Sequence, residues 1–264
     1  MNPKRYLFCS MLALAAFAFA GTASATPAAN SAVVSTRLFN NCPSSSITVV
    51  DNDFASIVID DAVLDCFGFA NRHAWSFSTD NTNAVEFQNA DQFSFCATVM
   101  ATGSGNGEIG LRLSPWWSPE IDGTFMLNTA SGEIAVFGGR LPFYSFTGNQ
   151  GQTYVKGTSV IRSMADNPNG LSSVSPATVT YTLTNGNGTF SSGPLPFDEG
   201  NTAENPPHGL WGMLQPARAG GYIQCYLGQG EPVNFRGEWS NICYDAQPTP
   251  AAPSTWGRIK ADYR

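Results

Sequence analysis

EIGLRLSPWWSPEIDGTFMLNTASGEIAVFGGRLPFYSF, residues Glu108–Phe146, is the stretch on which the fold turns. Within it GLRLS alternates apolar Leu111 and Leu113 with polar Arg112 and Ser114. TFMLN sets Phe125 and Leu127 against Thr124, Met126 and Asn128, and EIAVF sets Ile134 and Val136 against Glu133 and Phe137. Period-two alternation marks strands with one face toward a core. Pro115, Pro119, Asp122-Gly123, Ser131-Gly132 and Gly138-Gly139 separate the three runs, and each is a turn former. The stretch predicts an antiparallel meander.

Similar runs flank it. SSITVV (45–50) and ASIVI (55–59) read as strands around an Asp51-Asn52-Asp53 turn. FANRHAWSFS (69–78) carries His73, Trp75 and Phe77 on one face, and FSFCATVM (93–100) follows. TYVKGTSVIR (153–162), ATVTYTL (177–183) and the Phe190–Ser192 return come next, the last two joined through Asn185-Gly186-Asn187-Gly188, which tolerates the positive φ of a hairpin turn. Residues 193–209 read as a long Pro-, Gly- and acid-rich loop, and segments 209–213, 221–227 and 233–239 close the sheets. No internal repeat and no amphipathic helix stands out. Short, evenly spaced strands with dense turn punctuation predict an all-β, antiparallel two-sheet jelly-roll sandwich.

The ends read differently. Lys4 and Arg5, an apolar run from Leu7 to Ala20 and an Ala23-Ser24-Ala25 site form a signal peptide over residues 1–25. Residues 26–40 read as a loose leader, 41–246 as the sandwich, and 247–264 as a Pro-rich linker with a short tail. No other apolar run approaches the length of a membrane span. The expected product is therefore secreted, extracellular or periplasmic. After cleavage 11 bases face 20 acids, because Lys4 and Arg5 leave the 13 of the full chain. The net charge of about −9, with no basic cluster, speaks against nucleic acid as a partner.

Five cysteines survive cleavage: Cys42, Cys66, Cys96, Cys225 and Cys243. An oxidising compartment predicts two disulfides and one thiol, and no zinc-type spacing occurs. The expected pairs are Cys225–Cys243, flanking a hairpin, and Cys66–Cys96, with Cys42 left over.

The sequence Gly-Leu-Arg-Leu, then Asp122-Gly123-Thr-Phe-Met-Leu-Asn, then Ser131-Gly132-Glu133-Ile134-Ala135, resembles the meander of concanavalin A-like lectin and glucanase jelly rolls. Val-Thr-Tyr-Thr-Leu, Asn-Gly and Thr-Phe-Ser-Ser fit the same fold, so the resemblance spans roughly residues 40–245 at superfamily grade. It implies two curved sheets whose concave face often takes a saccharide chain. Retaining glucanases of that fold carry Glu-x-Asp followed shortly by a second Glu; here Glu120-Ile121-Asp122 is followed by Thr124 and Phe125, and reads as an acidic turn.

The carbohydrate-binding candidates are Arg72, His73, Trp75, Trp116, Trp117, Tyr144 and Trp211. Tryptophan stacks on pyranose rings, and Arg and His bind hydroxyls or a carboxylate. Against this, His73 suits a structural role beside a core Trp, Trp116-Trp117 suit a plug at the end of the sandwich, and Gly209-Leu-Trp211-Gly212 suits strand packing. Asp198, Glu199, Asn201 and Glu204 form an oxygen-rich loop that suits Ca²⁺ or simple solvation. The expected partner is a glycan. Three functions fit: a secreted lectin-like carbohydrate-binding protein, a glycoside hydrolase or a lyase using Arg72, His73 and Tyr144 or Tyr154, and a structural or adhesive surface protein. A binder needs no catalytic residues, and no catalytic motif is recognisable.

Overall fold

The computed structural model describes residues 26–115, 123–200, 211–230 and 232–247. Fourteen strands and one short helix follow in the order β1 (Ser31–Asn40), β2 (Ser46–Asp51), β3 (Ser56–Ala62), β4 (Ala70–Ser78), β5 (Gln92–Thr102), β6 (Gly107–Pro115), β7 (Thr124–Asn128), β8 (Ile134–Phe137), β9 (Tyr144–Ser145), α1 (Phe146–Gln150), β10 (Val160–Asn167), β11 (Thr178–Asn185), β12 (Gly188–Pro196), β13 (Ala217–Tyr226) and β14 (Asn234–Gln247). They form two seven-stranded antiparallel sheets, β1-β4-β13-β6-β7-β8-β9 and β12-β11-β10-β5-β14-β3-β2. The protein is a two-sheet jelly-roll sandwich, as its alternation predicts.

The meander holds as expected: β6, β7, β8 and β9 are consecutive neighbours in the first sheet, and Leu111, Leu113, Phe125, Leu127, Ile134 and Val136 all point into the core. The second sheet answers with Phe93, Phe95 and Val99 of β5, Tyr181 of β11 and Trp239 of β14, all buried. Aromatic rings meet edge to face between the layers, Phe77 with Phe95 at 5.5 Å and Trp75 with Trp239 at 6.3 Å. Each such ring contributes about 1.5–3 kcal/mol by burial.

Glycine sets how closely the layers pack. A Cβ on Gly221 would lie 2.3 Å from the Trp75 indole nitrogen and 2.6 Å from that of Trp239, so the two tryptophans close over a bare backbone. At Gly110 a side chain would run into the Phe125 carbonyl of the neighbouring strand and then the Arg162 guanidinium, 2.6 Å away.

Several expectations require correction. Residues 31–40, expected within a loose leader, are the edge strand β1; its β-branched run pairs Ala32 with Phe77 and Val34 with Trp75, burying that edge of the core. The strand expected at 153–162 begins only at Val160 and runs to Asn167. The disulfides are Cys42–Cys66 and Cys96–Cys243, and Cys225 is the buried thiol. The reason is strand position. Cys96 and Cys243 are direct register partners on β5 and β14. Cys225 sits in the other sheet facing inward, out of reach of either.

Candidate functional site

Strand parity places the polar chemistry. On β4, Asn71, His73, Trp75 and Phe77 face the other sheet, so Arg72, Ala74 and Ser76 face outward. Arg72 and His73, adjacent in sequence, therefore serve opposite faces.

On the inner side, His73 Nε2 lies 2.9 Å from Asp61 Oδ2, and both residues are wholly buried. Asn71 donates to the same carboxylate oxygen at 2.9 Å and to Ser45 Oγ and the Cys42 carbonyl, each at 3.1 Å. The Arg37 backbone N–H donates to His73 Nδ1 at 2.9 Å. That bond fixes Nδ1 as the acceptor, so Nε2 carries the proton and donates to Asp61. Burial pushes the Asp61 carboxyl up, but hydrogen bonds from His73, Ser45 and Asn71 outweigh it and hold the group below its usual value. Burial pushes the nearby Cys225 thiol well above its ordinary value. Ligand atoms of Asp61, His73 and Cys225 lie within 4.8 Å of one another, close enough to share an ion. The hydrogen bonding does not fit a metal. Coordination through Nε2 would require Nδ1 to donate, and Nδ1 already accepts a backbone N–H. The cluster is a polar clamp between β3 of one sheet and β4 of the other.

The outer face holds a different set. Register aligns Arg72 of β4 with Gln224 of β13, Glu108 of β6 and Asn128 of β7, directly opposite one another across four strands. Phe39 of β1 extends the row beyond Arg72. At about 4.8 Å per strand, the row is about 19 Å long. Its polar members form two hydrogen-bonded groups. Arg72 Nη1 donates to Gln224 Oε1 at 2.9 Å, with the guanidinium 4.3 Å over the Tyr222 ring. Tyr226, outward-facing on β13, donates its hydroxyl to Glu108 Oε1 at 2.5 Å and accepts from Asn128 Nδ2 at 2.9 Å. Arg72 and Gln224 are largely buried, whereas Phe39, Glu108, Asn128 and Tyr226 are half-buried.

Desolvation raises the Glu108 carboxyl above its usual value, opposed by the Tyr226 hydrogen bond and the Arg72 charge and reinforced by Glu133. Burial likewise raises the hydroxyls of Tyr222 and Tyr226, with the Glu108 charge adding to both. The next level across the sheet is Ala74, Tyr222, Gly110, Met126 and Ala135, mostly small side chains. Beyond it lie Ser76, Gly220, Arg112 and Thr124, with Arg112 Nη2 3.5 Å from Ser76 Oγ. Beneath this face the Arg162 guanidinium is buried with no carboxylate partner among the described residues. It donates to the Met126 carbonyl at 3.0 Å and the Ile109 carbonyl at 3.5 Å and sits 3.5 Å over Phe125. Burial lowers its pKa to about 9.

Of the sugar-binding candidates among the described residues, Arg72 alone lies in this outer row. His73 and Trp75 are wholly buried between the sheets and cannot meet a sugar on the outer face. Tyr154 is also buried, its hydroxyl donating to the Thr158 carbonyl at 3.1 Å, and Tyr144 receives the Gln150 side-chain amide at 2.7 Å. The Arg72–His73–Tyr lyase set is therefore not assembled. Trp211 is half-buried in the turn before β13, its carbonyl accepting from the Ala177 N–H at 2.8 Å. Trp116, Trp117, Glu120, Asp122, Asn201, Glu204 and His208 lie outside the described residues. Asp198 and Glu199 are exposed, and Asp198 pairs with Arg140.

Gln224, Glu108, Asn128, Tyr226 and Phe39 were not singled out by the sequence. The signal was local polarity at alternate positions of otherwise apolar strands, as in GGYIQCY, but only register shows that the positions align.

No protein-family model matches the chain, and no curated protein sequence matches it. Solved structures with a similar fold include an alginate lyase from Corynebacterium sp. (9% identity, TM-score 0.38), covering 76% of this chain and 81% of that one. Lectin II from Ulex europaeus is 10% identical at a TM-score of 0.38, covering 76% of this chain and 98% of that one. Peanut lectin is 10% identical at a TM-score of 0.37, covering 82% and 98%.

Proposed function

We propose that this is an exported carbohydrate-binding protein that holds a glycan across the outer face of its first sheet. The observation that carries the reading is the aligned row Arg72–Gln224–Glu108–Asn128, with Tyr226 bridging the last two. Sugars present closely spaced hydroxyls that both donate and accept. A row alternating guanidinium, amide, carboxylate and amide answers them in kind, and prior linkage of these groups limits the entropy lost on binding. Arg72 also suits a carboxylate-bearing sugar. In low dielectric the outward groups act at greater strength than in water. An oxygen-rich loop around Asp198, Glu199, Asn201 and Glu204 is a candidate Ca²⁺ ligand set, though Asp198 already answers to Arg140.

The test is retention of the mature protein on an immobilised glycan panel, with assays for new reducing ends and for ultraviolet-absorbing unsaturated ends. Retention without product is expected. Tyr226→Phe and Asn128→Ala should each weaken it about three- to tenfold by removing one hydrogen bond, with the folded state checked by circular dichroism. Retention unchanged in both variants would rule out the row. One observation favours a second reading, polysaccharide cleavage. A carboxyl raised by burial, bearing a tyrosine hydroxyl and facing a guanidinium, is equipped for proton transfer. Product in either assay, lost in Glu108→Gln, would establish that reading instead.

A further inference from the structure

The row does not end at Arg72. Phe39 stands opposite Arg72 on β1, and Phe69, just ahead of β4, meets the Phe39 ring edge to face at 6.1 Å. Phe69 is 64% exposed, and Phe67 beside it is 92% exposed. Large apolar rings left in water on a secreted surface call for a reason.

These rings are held rather than loose. Cys66, next to Phe67, is tied to Cys42 by a disulfide, and its carbonyl accepts the Gly228 N–H at 3.1 Å. The Phe69 carbonyl accepts the Leu227 N–H at 3.3 Å. Asn41 clasps Ala70 from both sides: its N–H donates to the Ala70 carbonyl, and its side-chain oxygen accepts the Ala70 N–H, each at 3.3 Å. Gly68 carries φ +144° with its Cα facing the Asn41 side chain so closely that a Cβ would lie 2.7 Å from it. Only glycine allows the loop to lie there, and this packing fixes the aromatic that follows.

We infer that Phe39 and Phe69 form a stacking subsite for the apolar face of one pyranose ring, at the end of a saccharide whose next units lie over Arg72–Gln224 and Glu108–Asn128. The inference rests on the glycan reading above and adds to it the position and chemistry of one subsite. Continuity is the argument. Phe39 is one strand, about 4.8 Å, from Arg72 along the row, so a chain lying on the polar groups meets the rings next. A pyranose presents C–H groups on one face and hydroxyls at its rim. It matches an aromatic pair beside a guanidinium better than a lipid or a wholly apolar partner does. The backbone that carries Phe69 is already fixed, so binding has little main-chain entropy left to lose there.

The experiment uses the mature protein and the oligomer series, disaccharide through hexasaccharide, of whichever panel glycan is retained. Phe69→Ala and Phe39→Ala should weaken the longer oligomers about tenfold and the disaccharide less than twofold. Phe69→Trp should keep full affinity, and its indole fluorescence should change on titration with the hexasaccharide. Tyr226→Phe should weaken every length, which separates row from rim. If the Phe variants bind all lengths as wild type does while Tyr226→Phe is weakened, the subsite is wrong and the glycan reading stands. If the wild type retains no glycan, both fall. If light scattering shows a wild-type dimer that Phe67→Ala and Phe69→Ala convert to a monomer, the rim serves a second copy of the chain and the inference is overturned.

Discussion

Asp166 shows how much one buried group can shape the pH response. It lies on the inward side of β10, its Oδ1 has no partner among the described residues, and desolvation together with the Asp91 charge pushes its carboxyl well above the usual value. A carboxyl raised in the fold favours the protonated, neutral form there. Its contribution to stability is thus complete below the ordinary carboxyl range, about pH 4. It is lost as pH climbs from there through the raised value. Asp166→Asn keeps the shape and removes the charge. The variant should be more stable than wild type at about pH 8, by at least roughly 1 kcal/mol, with the difference vanishing near about pH 3. Urea melts at the two pH values measure this, and a gap that widens in acid would refute it.

Among the elements, β4 carries two tasks on its two faces. His73 on the inner face accepts from the Arg37 backbone and donates to Asp61. His73→Ala would leave both groups buried and short of a partner, costing about 2–4 kcal/mol. Glycan affinity per folded molecule should be unchanged, because the ring cannot reach the outer row. Denaturant midpoints and binding titrations on one sample decide this; lost affinity at full folding would contradict it. The strand itself was legible in the sequence, since FANRHAWSFS alternates cleanly. Treating Arg72, His73 and Trp75 as one cluster was the error, because chain neighbours in a strand point apart. Edge strand β1 was missed for another reason. Residues 26–36 are small and polar and look unstructured, and only pairing with β4 gives Val33 and Val34 their place. The aligned row was beyond local reading altogether. It joins residues 39, 72, 224, 108 and 128, and no local pattern encodes the register between strands so far apart in sequence.

For the whole molecule, the two disulfides constrain the unfolded chain to different degrees. Cys96–Cys243 spans 147 residues of sequence and Cys42–Cys66 spans 24. Loop-closure entropy grows with the logarithm of the span. Replacing Cys96 and Cys243 by serine should therefore cost about 1–2 kcal/mol more than replacing Cys42 and Cys66. Guanidinium melts of the two double variants test the order, and equal losses would show that local strain or residual structure dominates. Fold class was readable from alternation and turns at this scale. Cysteine pairing was not, because proximity in sequence says nothing about which sheet a strand joins.

The two ends of the sandwich meet. Tyr244 of the last strand donates its hydroxyl to the Pro27 carbonyl, and Thr26 Oγ1 accepts the Gln92 N–H at 3.3 Å. Asn30 donates to the Ser78 carbonyl at 3.1 Å, which puts this corner at the far end of β4 from Phe69. At about 3.3 Å per residue the separation along β4 is about 26 Å. Both chain ends of the domain thus depart from one corner. An affinity handle, a fluorescent protein or a solid support joined at either end would hold the molecule by that corner and turn the Phe39–Phe69 rim away from the attachment.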